Sequence, residues 1–159
     1  MTRLKVLVAL LAAGCGAGAP EPGELRSVGY AALACYGTCP VYQVTIHPDG
    51  TGIYVGESRV RVTGSRRIRV SPETWRAVAA RMGPYRPVGI DRVEDGSPRC
   101  GRGPIESLGG IRLVWTSERR TDQLAVMRGC SNAEAARMVR DLEAIPAMLP
   151  IADLVGSQP

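Results

Sequence analysis

Phenylalanine is absent from the 159 residues, histidine occurs once as His47, and the apolar run Val6 to Ala13 has only eight residues. Each absence excludes something. A membrane-crossing helix needs about 20 consecutive apolar residues, so this run cannot span a bilayer. Without phenylalanine, the core falls to Leu, Ile, Val, Met and the two Trp. A single histidine with no acidic orienter in view offers no Ser/His/Asp constellation, and no Gly-rich phosphate loop is present. The acids Asp91, Glu94, Asp95 and Glu106 do not follow the alternate-position spacing of a calcium loop. No catalytic residue, metal ligand set or cofactor is therefore expected.

What is present at the N-terminus has the layout of an export signal. Arg3 and Lys5 precede the apolar run, and Ala12-Ala13-Gly14-Cys15 follows it. Residues 1–14 read as a lipoprotein signal peptide, with Cys15 as the lipidated first residue of the mature chain. Residues 15–26, rich in Gly and Pro, read as a flexible tether. Loss of Arg3 and Lys5 with the leader leaves 18 basic against 15 acidic residues, a charge of +3. An exported chain of that charge meets anionic lipid headgroups and wall polymers, not nucleic acid.

Residues 27–150 are long enough for one domain with a single core, and 151–159 carry no pattern. The stretch Cys35-Tyr-Gly-Thr-Cys39-Pro40-Val-Tyr42 leads into an alternating strand, Tyr42, Val44 and Ile46 against Gln43, Thr45 and His47. Asp49-Gly50 reads as a two-residue type I′ turn, which sets Ile46 opposite Ile53 and Val44 opposite Val55. Arg59 to Thr63 alternates again, with Val60 and Val62 inward. Ser71-Pro72-Glu73 starts a helix whose apolar stripe is Trp75, Val78, Ala79 and Met82. Tyr85 to Gly110 has no sustained period. Ile111, Leu113 and Trp115, then Leu124 and Val126, predict a second hairpin, and Ser131 with Glu134 forms a capping box for a last helix buried through Ala135, Met138, Val139 and Leu142. This order predicts an α+β fold, an antiparallel sheet built from hairpins with two helices on one face.

With Cys15 set aside, Cys35, Cys39, Cys100 and Cys130 remain, and an even number in an oxidising compartment predicts disulfides. Four cysteines allow three pairings. Proximity favours Cys35 with Cys39, leaving Cys100 to tie the long loop to Cys130. A thiol-disulfide or copper role for the same Cys-x-x-x-Cys-Pro is the alternative, and it lacks the helix N-terminus that normally activates the thiol. Arg59, Arg61, Arg66, Arg67 and Arg69 form the densest charge on the chain. Guanidinium forks suit phosphate and carboxylate, so these five are the anion-binding candidates.

The motif Cys35 to Tyr42, followed after one strand by Pro48-Asp-Gly-Thr-Gly52, resembles the bacterial envelope family known as domain of unknown function 6438. The likeness runs on through Val60 to Gly64, Ser71-Pro-Glu-Thr-Trp75 and, loosely, Arg128 to Glu143, covering about residues 27 to 145. The resemblance implies a shared fold, a lipid-anchored place in the cell envelope facing the periplasm or exterior, and no established activity. The partners it leaves are the membrane, reached through the lipid, and an envelope protein or anionic wall polymer.

Overall fold

A computed structural model describes residues 25–102 and 108–156; the stretch read as a signal peptide, Cys15, Glu106 and most of the stretch read as a tether lie outside the described residues. The chain forms β1 (Leu25–Ala32), β2 (Val41–Ile46), β3 (Thr51–Ser58), β4 (Gly64–Arg69), α1 (Pro72–Met82), β5 (Ile90–Val93), β6 (Gly110–Ser117), β7 (Thr121–Met127), α2 (Ala133–Glu143) and α3 (Ala152–Val155). The seven strands make one sheet in the order β4-β3-β2-β1-β6-β7-β5. β1 lies at its centre and joins the two hairpins. The chain leaves one edge at β4, crosses as α1, and enters the opposite edge as β5.

The fold is α+β as the pattern implies, but the sheet is mixed: β5 runs parallel to β7, while every other pair is antiparallel. A helical crossover is the usual route into a parallel edge. β5 sits in the stretch without sustained period because only Val93 of its four residues is buried.

One face of the sheet carries the core. Val28, Tyr30 and Ala32 of β1, Tyr42, Val44 and Ile46 of β2, Tyr54 of β3, and Ile111, Leu113, Trp115, Leu124 and Val126 are buried there, under Trp75, Val78 and Met82 of α1 and Met138 and Leu142 of α2. Both helical stripes are the ones their 3.6-residue spacing predicts. Phenylalanine is replaced partly by tyrosine. Tyr30, Tyr42 and Tyr54 form a row across three strands, with ring centroids 6.2 and 5.9 Å apart. Tyr54 is completely buried, and its hydroxyl reaches the carbonyls of Val62 and Leu154 at 3.2 and 3.3 Å.

The first hairpin forms, but its register differs by one residue from the expected one. Thr45 pairs with Ile53, Val44 with Tyr54 and Ile46 with Gly52. His47 and Thr51 close the ladder, and the Gly50 N–H donates to the His47 carbonyl at 3.0 Å. Pro48 and Asp49 are thus the central residues of a turn, with Gly50 following at φ 80. Pro48 presets the first central position, which selects a three-residue loop with a glycine bulge over the two-residue I′ turn. Asp49 Oδ1 accepts from both the backbone N–H and the hydroxyl of Thr51. The shift places Gly52 and Gly56 on the core side and leaves Ile53 45% exposed.

Residues 59–63 form a connection, not a strand. Arg59 takes a left-handed φ of 54, and the backbone N–H groups of Arg61 and Val62 donate to Val155 and Leu154. The alternation there reflects packing against the C-terminal segment. Residues 151–155 correspondingly belong to the fold, with Ile151 fully buried and α3 beside this loop. β1 begins at Leu25, inside the stretch read as tether. α1 is capped by Ser71 as expected. The cap of α2 is Asn132, whose side chain accepts from the Glu134 N–H, not Ser131; both residue types cap well, and Asn132 stands one position closer to the first helical turn.

The tight inner face of β3 yields a direct check. A methyl group at Gly56 would collide with the Val62 carbonyl and stand 2.8 Å from the Tyr54 hydroxyl, whereas one at Gly83, with an ordinary helical φ of −51, meets nothing within 4 Å. Gly56→Ala should destabilise the domain by about 1–3 kcal/mol. Gly83→Ala should leave it unchanged or stabilise it by up to about 1 kcal/mol, both read from urea unfolding midpoints.

Candidate functional site

Short spacing and Gly37, at φ 140, let Cys35 and Cys39 close their own ring, with Cα atoms 5.8 Å apart. Pro40 then leads straight into β2. The bridge therefore lacks the helix N-terminus that would make either sulfur a ready thiolate on reduction. His47 stands at the far end of β2, where its Nδ1 lies 3.0 Å from the Arg26 carbonyl oxygen. The structure does not bring this histidine to the cysteines. Among the described residues no three His, Cys, Asp or Glu side chains are grouped to hold a metal.

Behind the loop, Tyr30 and Tyr42 line a cavity of about 390 Å³ together with Cys39, Pro40, Arg128 and Glu143. Burial, then the neighbouring Tyr42, raises the Tyr30 phenol well above its ordinary pKa. Burial, then Tyr54, pushes Tyr42 up to about 12. Both phenols stay neutral at physiological pH. They can donate hydrogen bonds there but not act as oxyanions.

Cys100 and Cys130 are bridged and buried, with Cα atoms 4.7 Å apart. The acids near this bridge are engaged. Asp91 pairs with Arg99, whose Nη2 also reaches Glu134 at 3.2 Å.

The five candidate arginines are all exposed, but they do not form one ribbon. Arg59 and Arg61 lie in the β3–β4 connection, and Arg66, Arg67 and Arg69 lie on the edge strand β4. Arg67 and Arg69 pair with Ile53 and Thr51 and share the open face, while Arg66 pairs with Tyr54 and shares the core side. None of the five forms a salt bridge with a carboxylate among the described residues. Arg69 reinforces the Thr51 hydrogen bonds that hold the Asp49 carboxyl below its usual value.

The most buried charged pair is one that the sequence reading missed. Asp122, on β7, is fully buried and sits on the core face with Leu124 and Val126. Its Oδ2 accepts from Arg86 Nε at 2.7 Å and Arg120 Nε at 2.9 Å, and its Oδ1 accepts from the Gly89 N–H at 2.9 Å. Burial raises its pKa, but the Gly89 N–H and the two guanidiniums outweigh burial and lower it overall. The signal was available. The period of two that buries Leu124 and Val126, extended back by one step, buries Asp122 as well.

The motif loop, the glycine-bulged hairpin and the capped helix after it are the features on which the family resemblance rests. Residues 26–91 match Domain of unknown function (DUF6438). The DUF6438 match runs from β1 to the start of β5 and takes in the Cys35–Cys39 loop, all five edge arginines and Arg86. It stops short of Asp122, the second hairpin and α2, and so does not reach the looser likeness at Arg128 to Glu143. No curated protein and no solved structure matches the chain.

The Asp122 cluster predicts a signed pH dependence. Its carboxyl ionises more readily folded than unfolded, so its stabilisation is complete above the unfolded value of about 3.9 and is lost as pH falls through the lower folded value. Asp122→Asn should lose about 3 kcal/mol at pH 7, because Arg86 stays buried without its counter-charge. The variant should also show a flatter stability profile than wild type below pH 4 in urea titrations.

Proposed function

We propose that the protein is a non-catalytic binding module, held in the bacterial cell envelope by lipid on Cys15 and docked on the anionic headgroups of that membrane through the arginines of the β3–β4 edge. The supporting observation is that Arg59, Arg61, Arg66, Arg67 and Arg69 are exposed and without salt-bridge partners among the described residues. Cations left in that state act over a Debye length, about 10 Å at 0.1 M salt. The ten residues from Cys15 to the start of β1 reach at most about 35 Å, which keeps the domain within range of the surface. No helix among the described residues is long and apolar enough to cross a membrane, so the lipid would be the anchor.

The side chains that most often act as nucleophile or base are engaged elsewhere. All four domain cysteines are bridged, and His47 is tied to a backbone carbonyl. A thiol-disulfide or copper role would need the Cys35–Cys39 ring to open readily. Thiol titration under mild reductant decides that, since a structural bridge stays closed.

Cys15→Ser should move the protein from the membrane to the soluble fraction; normal processing with continued membrane binding contradicts the anchor. Replacing Arg59, Arg61 and Arg67 together by Ser should abolish co-sedimentation of the soluble domain with anionic vesicles at 0.1 M salt while leaving the Tm nearly unchanged. Wild-type binding should fade toward 1 M salt, where the Debye length is about 3 Å. Failure of the wild type to bind vesicles at low salt, or binding to peptidoglycan alone, contradicts the membrane as partner.

A further inference from the structure

A second basic region lies away from the β4 edge, and it differs in kind. Where β1 begins, the β6–β7 turn and the segment after α1 enclose a cleft of about 520 Å³ lined by Arg26, Arg86, Arg119 and Arg120, with Glu118 on its wall. Among the described residues, four guanidiniums there meet only two carboxylates. Glu118 takes Arg26 at 2.8 Å, and Asp122 takes both Arg86 and Arg120. Two positive charges remain without a counter-ion.

Arg86 is the unusual member. Its side chain is 4% exposed, yet among the described residues that side chain makes a single hydrogen bond, from Nε to Asp122. Its Nη1 is buried with no acceptor. A second buried donor without an acceptor, Trp115 Nε1, belongs to the cross-strand neighbour of Asp122. Leaving such donors unmet is costly, more so for a charged group. The salt bridge fixes the guanidinium in place, so its remaining N–H groups form a preset fork. Forks of this kind match the paired oxygens of carboxylate and phosphate.

We infer that this cleft is an oxyanion site that takes the phosphate or carboxylate group of a small organic ligand. Arg86 is its buried anchor, and Arg119 closes on the ligand from the β6–β7 turn. Arg119 is exposed and forms no salt bridge among the described residues, so it is free for that role. The volume exceeds that of a bare anion and falls within the roughly 300–1,000 Å³ typical of small-molecule sites, which leaves space for an organic body. Asp122 sets the site's geometry without touching the ligand. The site is independent of the β4 edge, because neither its walls nor its charge balance involve those arginines.

The test is an NMR titration of the folded domain with inorganic phosphate and separately with acetate, at constant ionic strength, following arginine Nε–H signals and the backbone of residues 117–120. Saturable shifts confined to Arg86 and the β6–β7 turn are expected with at least one anion. Which anion saturates distinguishes a phosphate site from a carboxylate site. Arg119→Ser should weaken binding at least threefold and Arg86→Lys, which keeps the charge but loses the fork, at least tenfold. The Arg59, Arg61 and Arg67 triple variant should bind as wild type. Shifts that do not saturate, that spread evenly over exposed arginines, or that survive Arg119→Ser undiminished would overturn the site, whether or not Arg86→Lys folds.

Discussion

A carboxylate with no exposure to solvent, Asp122, fastens the segment that would otherwise be the least anchored part of this fold. Its two oxygens collect three donors from three places: Arg86 after α1, the Gly89 backbone, and Arg120 in the β6–β7 turn. Gly89 is held from both sides, because its carbonyl also accepts from the Gln123 N–H at 2.8 Å. That pair of bonds starts the parallel ladder of Ile90 with Gln123. The Cys100–Cys130 bridge then pins the far end. A buried charge pair need not add net stability over an apolar pair, but removing one partner is costly. The cluster is therefore better understood as specifying where β5 goes than as a reservoir of stability.

The first half of the chain solves a different problem, that of making a core without phenylalanine. The row of Tyr30, Tyr42 and Tyr54 supplies ring volume across three strands, and the inward positions Gly52 and Gly56 supply the space. Tyr54 can be fully buried because the C-terminal segment meets its hydroxyl through the Leu154 carbonyl. Its only lysine, Lys5, lies outside the described residues, so every basic side chain of the described domain other than His47 is arginine. Arginine binds oxyanions through a planar fork, where lysine offers a point charge. The two basic regions differ in setting: the arginines of the β3–β4 region are exposed, whereas Arg86 is buried and held by Asp122.

How much of this was legible depended on whether the signal was local. The stripe Trp75, Val78, Ala79, Met82 and its Ser71 cap lie within twelve residues, and the helix follows them. Asp49-Gly50 marked a hairpin correctly, but Pro48 moved the turn by one position and changed which side chains face each other. The alternation of Val60 and Val62 misled, since the backbone there bonds to a distant segment, Arg61 to Val155 and Val62 to Leu154. β5 escaped because an edge strand with one buried residue has no period to detect. Asp122 escaped because an Arg-Arg-Thr-Asp turn reads as solvated, and its partner Arg86 is 36 residues distant. The five edge arginines were visible as density. The division of Arg66, Arg67 and Arg69 between the two sides of β4 required the strand register.

The claim that Asp122 determines the position of β5 is tested most directly by native-state hydrogen exchange of the Asp122→Asn variant. Amides of residues 89–93, and the Gln123 amide that bonds to Gly89, should lose protection first and most, while β1, β2 and β3 keep protection set by global unfolding. Uniform acceleration across all seven strands, or unchanged protection at 89–93, would contradict it.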